Sequence, residues 1–119
     1  MKRYLSIILI GMGLSGSPAT YGDTETGVDA LGRGQYDQAL DAFLPGAKQG
    51  DLADQIFLGH TYTLLENYEE AYAWYHLSAG CGSIDAEIEL AVLSRKLSEE
   101  TIEAGRTRGE AYREVYCPE

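Results

Sequence analysis

Basic residues are scarce in this sequence, which has 9 Lys and Arg against 19 Asp and Glu in 119 residues. Binding to nucleic acid depends mainly on neutralising phosphates, so we do not expect this chain to bind nucleic acid or an anionic membrane surface. The excess of acid has two interpretations. It keeps the protein soluble, which we favour, or it attracts a basic partner.

Long hydrophobic runs are also lacking. The apolar run over residues 5–14 would span about 15 Å as a helix, against about 30 Å of hydrocarbon in a bilayer. It follows Lys2 and Arg3 and precedes small residues, which predicts that residues 1–22 are a signal peptide cleaved after Ala19 or after Gly22. No cysteine follows the run, so a lipid anchor is not expected there.

Cleavage would leave residues 23–119 as one small domain in the periplasm or outside the cell, with no stable membrane insertion. Its formal charge would be −12, from 7 basic and 19 acidic residues. The alternative is an uncleaved N-terminal anchor that tethers the domain on the same side of the membrane.

Two copies of one pattern lie 32 residues apart. Residues 36–59 align without gaps on residues 68–91, and identical pairs include Tyr36 with Tyr68, Ala39 with Ala71, Gly50 with Gly82, Ile56 with Ile88, and Leu58 with Leu90. A period of 20 to 50 residues with two helical patterns per period is typical of an α-solenoid. In each copy a glycine closes one helix, and Asp51 or Ser83 caps the next.

The pattern predicts helices over residues 28–33, 36–48, 52–65, 69–80, 85–97 and 98–116. Pro45 removes a backbone hydrogen bond, so we expect a kink or an early end near Leu44. The helix over 85–97 is apolar on two faces, which predicts that it is sandwiched. Gly105 and Gly109 predict that the last helix closely approaches this fifth helix.

Several residues, from the end of the first copy through the second copy, together resemble the Sel-1-like repeat family, a relative of the tetratricopeptide repeats: Leu58, Gly59, Tyr62, Ala71, Trp74, Tyr75, Ser78, Ala79 and Gly82. The resemblance covers roughly residues 28–115. It implies an all-α fold, a short right-handed α-solenoid of about two to three antiparallel helix-pair repeats. Two features depart from the family: the loop between Tyr62 and Ala71 lacks a glycine-rich insertion, and Asp54 replaces a small residue.

The resemblance also implies a function. Members serve largely as scaffolds, so we expect an exported, non-catalytic adaptor that binds another protein or a peptide segment and needs no cofactor. The residues expected to face its concave groove are Ile56, His60, Thr63, Ile88, Val92 and Arg95. In the alternative arrangement, the last helix folds over some of these residues and hides them.

Two further functions stay open. A cysteine-rich branch of the family binds or hydrolyses penicillin-like substrates, but it has a cysteine pair in every repeat and this chain has one pair in total. No nucleophile and base with suitable spacing can be identified, so we do not favour an enzyme. The other alternative is a purely structural envelope protein, whose last helix would close the groove.

The two cysteines, Cys81 and Cys117, follow the fourth and sixth predicted helices. The fifth helix carries the chain away by about 20 Å and the sixth returns it by about 27 Å, so both sulfurs should reach the same end of the bundle. We predict a disulfide in an oxidising compartment. The alternative is two unpaired or intermolecular cysteines.

For the histidines and the aromatic residues we favour structural roles over ligand binding. His60 and His76 lie on neighbouring helices, but a metal site would need a further ligand, and none has suitable spacing. The aromatic residues Tyr72, Trp74 and Tyr75 could stack on a ligand, but their helical spacing favours packing between helices. Tyr68 is the aromatic residue most expected to be exposed.

Overall fold

The computed structural model describes residues 23–117, so the expected signal peptide and its cleavage sites lie outside the described residues. The regular structure of residues 23–117 is entirely helical, which confirms the all-α fold class. The six helices are α1 (Thr24–Gly32), α2 (Tyr36–Lys48), α3 (Leu52–Leu64), α4 (Tyr68–Gly80), α5 (Ile84–Ser94) and α6 (Glu99–Tyr116).

Helices α2 to α5 begin at intervals of 16 residues, half the period seen in the sequence. The turn before each of them has a residue with positive φ: Gly34 (75°), Gly50 (97°), Glu66 (61°) and Gly82 (111°). In each turn the next amide donates to a carbonyl five residues earlier, as Asn67 does to Tyr62 at 2.9 Å. This pattern closes a helix C-terminus and lets a new helix begin immediately.

Side chains cap the helices that follow. Asp51 accepts from the amide of Asp54 and Ser83 from the amide of Ala86, which confirms both predicted caps. Asp23 accepts in the same way from Thr26, so α1 starts four residues before the predicted position of 28.

Of the two expected effects of Pro45, a kink or an early end near Leu44, the early end is wrong, since α2 continues to Lys48. Proline removes its own amide as a donor, but its carbonyl still accepts from the amide of Gln49 at 3.2 Å. Because Pro45 lies in the last turns of α2, Gly50 sets the end of the helix rather than the proline.

Helices adjacent in the chain pack in succession, α1 on α2, α2 on α3, α3 on α4 and α4 on α5. Small residues allow the close contacts. Gly27 lies against the ring of Phe43, and Gly59 lies against the ring of Tyr75. Tyr72, Trp74 and Tyr75 are buried, which confirms that they pack between helices.

Helix α6 returns over α4 instead of packing on α5, so the expected approach of its glycines to the fifth helix is wrong. Gly105 meets Tyr72 and Gly109 meets Ala73 and His76, while Gly80 faces Arg113. Residues further along α6 contact residues further along α4, so the two helices run parallel.

Aromatic stacking explains why α6 takes this position. Tyr112 and Tyr116 lie one turn apart on α6, with ring centroids 4.8 and 5.8 Å from that of Trp74 on α4. Burying the indole under two tyrosines offers α6 more apolar contact than its small residues alone could supply.

Cys81 and Cys117 form a disulfide that joins the ends of α4 and α6, which confirms the predicted pairing. Their Cα atoms are 6.2 Å apart, within the range that a disulfide requires. The bond fixes the C-terminal end of α6 to the body of the domain.

The prediction that the fifth helix is sandwiched is wrong. Ala86 and Leu93 of α5 are buried, but the exposed fractions of Ile84, Ile88 and Val92 are 70%, 58% and 44%. The second apolar face of α5 has no neighbouring helix within residues 23–117, because α6 packs on α4 instead.

Candidate functional site

An open cleft of about 300 Å³ lies between α3 and α5, with α4 in contact with both helices. Its lining combines three large apolar side chains with two carboxylates and one imidazole. The lining residues are Ala53, Ile56, Phe57, His60, Asp85, Ile88 and Glu89.

Three of the six expected groove residues meet in this cleft: Ile56, His60 and Ile88. The other three, Thr63, Val92 and Arg95, are not among its lining residues. The hydroxyl of Thr63 donates to the Gly59 carbonyl of its own helix at 2.8 Å.

Sequence reasoning missed Phe57, Asp85 and Glu89. Phe57 stacks on Phe43 of α2, with ring centroids 4.9 Å apart, so one face of its ring is fixed by the core. Asp85 and Glu89 are four residues apart, so both lie on the side of α5 that also carries Ile88. This spacing is visible in the sequence and could have indicated that the three residues share one side.

His60 and Glu89 face each other across the cleft. The Nε2 atom of His60 lies 3.4 Å from a carboxylate oxygen of Glu89, and the two side chains are 36% and 40% exposed. The imidazole also meets the rings of Phe57 and Tyr75 edge-on, with centroids 6.1 and 5.7 Å away. The aromatic contacts hold the imidazole while its polar edge stays accessible.

The last helix leaves this cleft open within the described chain. Helix α6 packs on α4 and reaches α2 at its C-terminal end, and Ile88 remains 58% exposed. The described residues therefore do not show the alternative in which the last helix covers the groove.

A second polar cluster fixes α6 to α4. The carboxylate of Glu70 accepts from the indole of Trp74 at 3.1 Å, from the hydroxyl of Tyr112 at 2.9 Å, and from Arg108. Burial, together with Glu70, raises the pKa of Tyr112 to about 12, and the bond to Glu70 raises the pKa of Arg108. Each member of this cluster already has a partner, which indicates a structural role.

Asp54 links α1 to α3. Its carboxylate accepts from the hydroxyl of Thr24 at 2.6 Å, and the residue is only 1% exposed. Burial raises the pKa of this carboxyl group.

Within residues 23–117, no group of three or more His, Cys, Asp and Glu side chains could hold a metal ion. His60 faces Glu89, whereas His76 lies 3.4 Å from Glu110 on α6. None of the helices described here is long and apolar enough to cross a membrane.

Comparison of the chain with protein-family models, curated proteins and solved structures finds no match. Over residues 23–117 the geometry defines an all-helical domain, fixed by one disulfide, with an open cleft lined by apolar side chains, one imidazole and two carboxylates.

Proposed function

We propose that this protein is an exported, non-catalytic helical-repeat adaptor or scaffold, and that the cleft between α3 and α5 binds a segment of another protein. The observation that supports this most directly is the chemistry of the cleft. Ile56 on α3 and Ile88 on α5 are accessible to solvent and line the cleft together with two carboxylates of α5. Helix α4 packs against both α3 and α5.

The apolar side chains of the cleft supply a driving force for binding. Ile88 is 58% exposed, and since full burial of such a side chain is worth about 1.5–3 kcal/mol, covering it contributes roughly 1–1.5 kcal/mol. Ile56 and Phe57 extend the same surface on α3. The partner segment should therefore insert at least one apolar side chain between the helices.

The carboxylates of the cleft favour a basic partner. Asp85 and Glu89 border the cleft, and the domain after cleavage would have a charge of −12. Such a field speeds the approach of cations and disfavours acidic segments. A Lys or Arg beside the apolar anchor would fit both parts of the surface.

We further propose that the domain is a short right-handed α-solenoid of the Sel-1-like type. The 16-residue spacing of helices α2 to α5, their repeated turn geometry and the succession of contacts support this proposal. In such a solenoid, α3 and α5 are equivalent helices of successive repeats, so the cleft between them is part of the concave groove. Export through cleavage of residues 1–22 belongs to the same proposal and agrees with a disulfide.

A peptide-display selection against the purified protein tests this function. Selected peptides should combine an apolar residue with Lys or Arg, and fluorescence anisotropy measures their affinity. Ile56→Glu and Ile88→Glu should each weaken binding at least about tenfold, which corresponds to about 1.4 kcal/mol. Comparing His60→Glu with Arg95→Glu, and with the double variant, separates the cleft from the wider predicted groove, because only His60 lines the cleft.

Val115→Glu is the matched control, because Val115 is 66% exposed on α6, which does not line the cleft. Peptides whose affinity falls equally in the control would not bind at the cleft. Peptides that ignore both isoleucine variants would contradict the proposed function.

A further inference from the structure

One side of α5 packs on α4 and the opposite side faces solvent. Ala86 and Leu93 form the buried side. At 100° per residue, the opposite side of the helix carries Ile84, Ile88, Ala91, Val92 and Arg95. We call these five residues the outer face of α5.

The repeat shows what such a face does elsewhere in the molecule. With the offset of 32, Ile88 corresponds to Ile56, and Ala91 corresponds to Gly59 of α3. Gly59 lies against the ring of Tyr75, so this side of α3 holds α4. On α5 the equivalent side has no helix from residues 23–117, because α6 packs on α4.

We propose that the outer face of α5 pairs with the same face of a second copy of this protein, in antiparallel orientation about a two-fold axis. Such a contact is isologous, so one helix must be complementary to itself. The proposal does not depend on peptide binding in the cleft.

The charges of α5 supply this complementarity. Asp85 and Glu87 lie in its first turn, while Arg95 and Lys96 follow its last turn. In an antiparallel pair, the acidic end of each helix meets the basic end of the other. A parallel pair would place like charges together, which is destabilising.

The apolar spacing fits the same arrangement. Ile84, Ile88, Ala91 and Arg95 are separated by four, three and four residues, the spacing of a seam between two paired helices. Seating Ile88 over Ala91 of the second copy places Arg95 beside Ile84 of that copy, within reach of its Asp85 or Glu87. The small side chain of Ala91 permits close approach.

The size of the face sets the strength. A helix of 11 residues is about 16 Å long, so the contact falls below the roughly 1,200–2,000 Å² that stable interfaces bury. We therefore expect a weak dimer that forms only at high protein concentration. A helix of another protein could bind α5 without the two ends of α5 being complementary to each other. Because the acidic and basic ends of α5 are complementary to each other, a second copy is the favoured partner.

Sedimentation velocity of the exported protein from about 10 μM to about 1 mM, a range that covers weak association, tests the proposal. The wild type should shift from monomer to dimer. Ile84→Lys and Ala91→Glu should each raise the dissociation constant at least about tenfold, since the first places a like charge beside Arg95 and the second buries an uncompensated charge. Val115→Glu, exposed on α6, should leave the dissociation constant unchanged.

Charge reversal tests the orientation. Arg95→Glu should weaken the dimer, and adding Glu87→Lys in the same chain should restore it. Ile84 and Ala91 do not line the cleft, so their variants should keep peptide affinity, which separates this test from that of the proposed function. A monomer at every concentration, or a dimer indifferent to both Ile84→Lys and Ala91→Glu, would overturn the proposal. Circular dichroism verifies that each variant is folded.

Discussion

Gly109 offers a sharp test of how α6 packs, because the structure reverses the usual effect of its replacement. In an exposed helix, Gly→Ala stabilises by about 1 kcal/mol. At Gly109, an added Cβ would lie 2.9 Å from the Ala73 carbonyl oxygen and 3.0 Å from the Cβ of His76. The carbonyl belongs to the backbone of α4 and cannot rotate away.

Overpacking of a close contact costs about 1–3 kcal/mol, which cancels or outweighs the gain in helix propensity of about 1 kcal/mol. We expect Gly109→Ala to lower the free energy of unfolding by up to about 2 kcal/mol, the overpacking cost less that gain. Gly32 at the end of α1 is the matched control, since nothing lies within 4 Å of its added Cβ. Gly32→Ala should be neutral or stabilise by up to about 1 kcal/mol.

Urea denaturation followed by circular dichroism measures both variants against the wild type. The decisive quantity is the difference between the two alanine variants, because it cancels most of the propensity term. If Gly109→Ala is as stable as Gly32→Ala, α6 does not lie against α4 at this position.

Three further predictions concern stability. Glu66 has a φ of 61°, so Glu66→Gly should stabilise by about 0.5–1 kcal/mol in urea denaturation, and a loss would contradict the strain at this turn. Burial raises the pKa of Asp54, so its favourable contribution exists at acid pH and is lost as pH rises from the ordinary value of 3.8 through the raised pKa. Asp54→Asn, which keeps an acceptor for Thr24, should therefore gain stability over wild type as pH rises, and parallel pH profiles would refute this. Reducing the bond between Cys81 and Cys117, which are 36 residues apart in the chain, should lower the free energy of unfolding by about 4 kcal/mol. Equal melting with and without reductant would show that the bond does not restrain the unfolded chain.

The helical elements could be predicted because their signals are local. Gly50 and Asp51, like Gly82 and Ser83, combine a helix terminator with a cap in two adjacent residues. The half-period of 16 was missed because Glu66 occupies a position where the other three turns have glycine. A side chain in a left-handed conformation cannot be recognised from residue type alone.

Helix α6 could pack on α4 or on α5, and no local sequence signal distinguishes these two neighbours. The four-residue spacing of Gly105 and Gly109 indicates close packing but not its partner. The stronger signal was the pair Tyr112 and Tyr116, whose spacing matches a single large ring such as Trp74. The same choice left the second face of α5 exposed.

Half of the expected groove residues reach the cleft because the repeat places Ile56 and Ile88 at equivalent positions, with His60 one turn beyond Ile56. Phe57 and Glu89 were missed because the cleft depends on the spacing of α3 and α5 around α4. That spacing follows from side-chain volumes in the core, such as Tyr75 against Gly59.

The measurement that tests the central claim most directly is the mapping of a selected basic peptide by backbone amide chemical shifts. If the peptide binds in the cleft, the largest changes fall on α3 between Ala53 and His60 and on α5 between Asp85 and Glu89. Val115→Glu should then leave this pattern intact. Changes concentrated on α6, or absent at saturating peptide, would contradict the assignment of the cleft as the binding site.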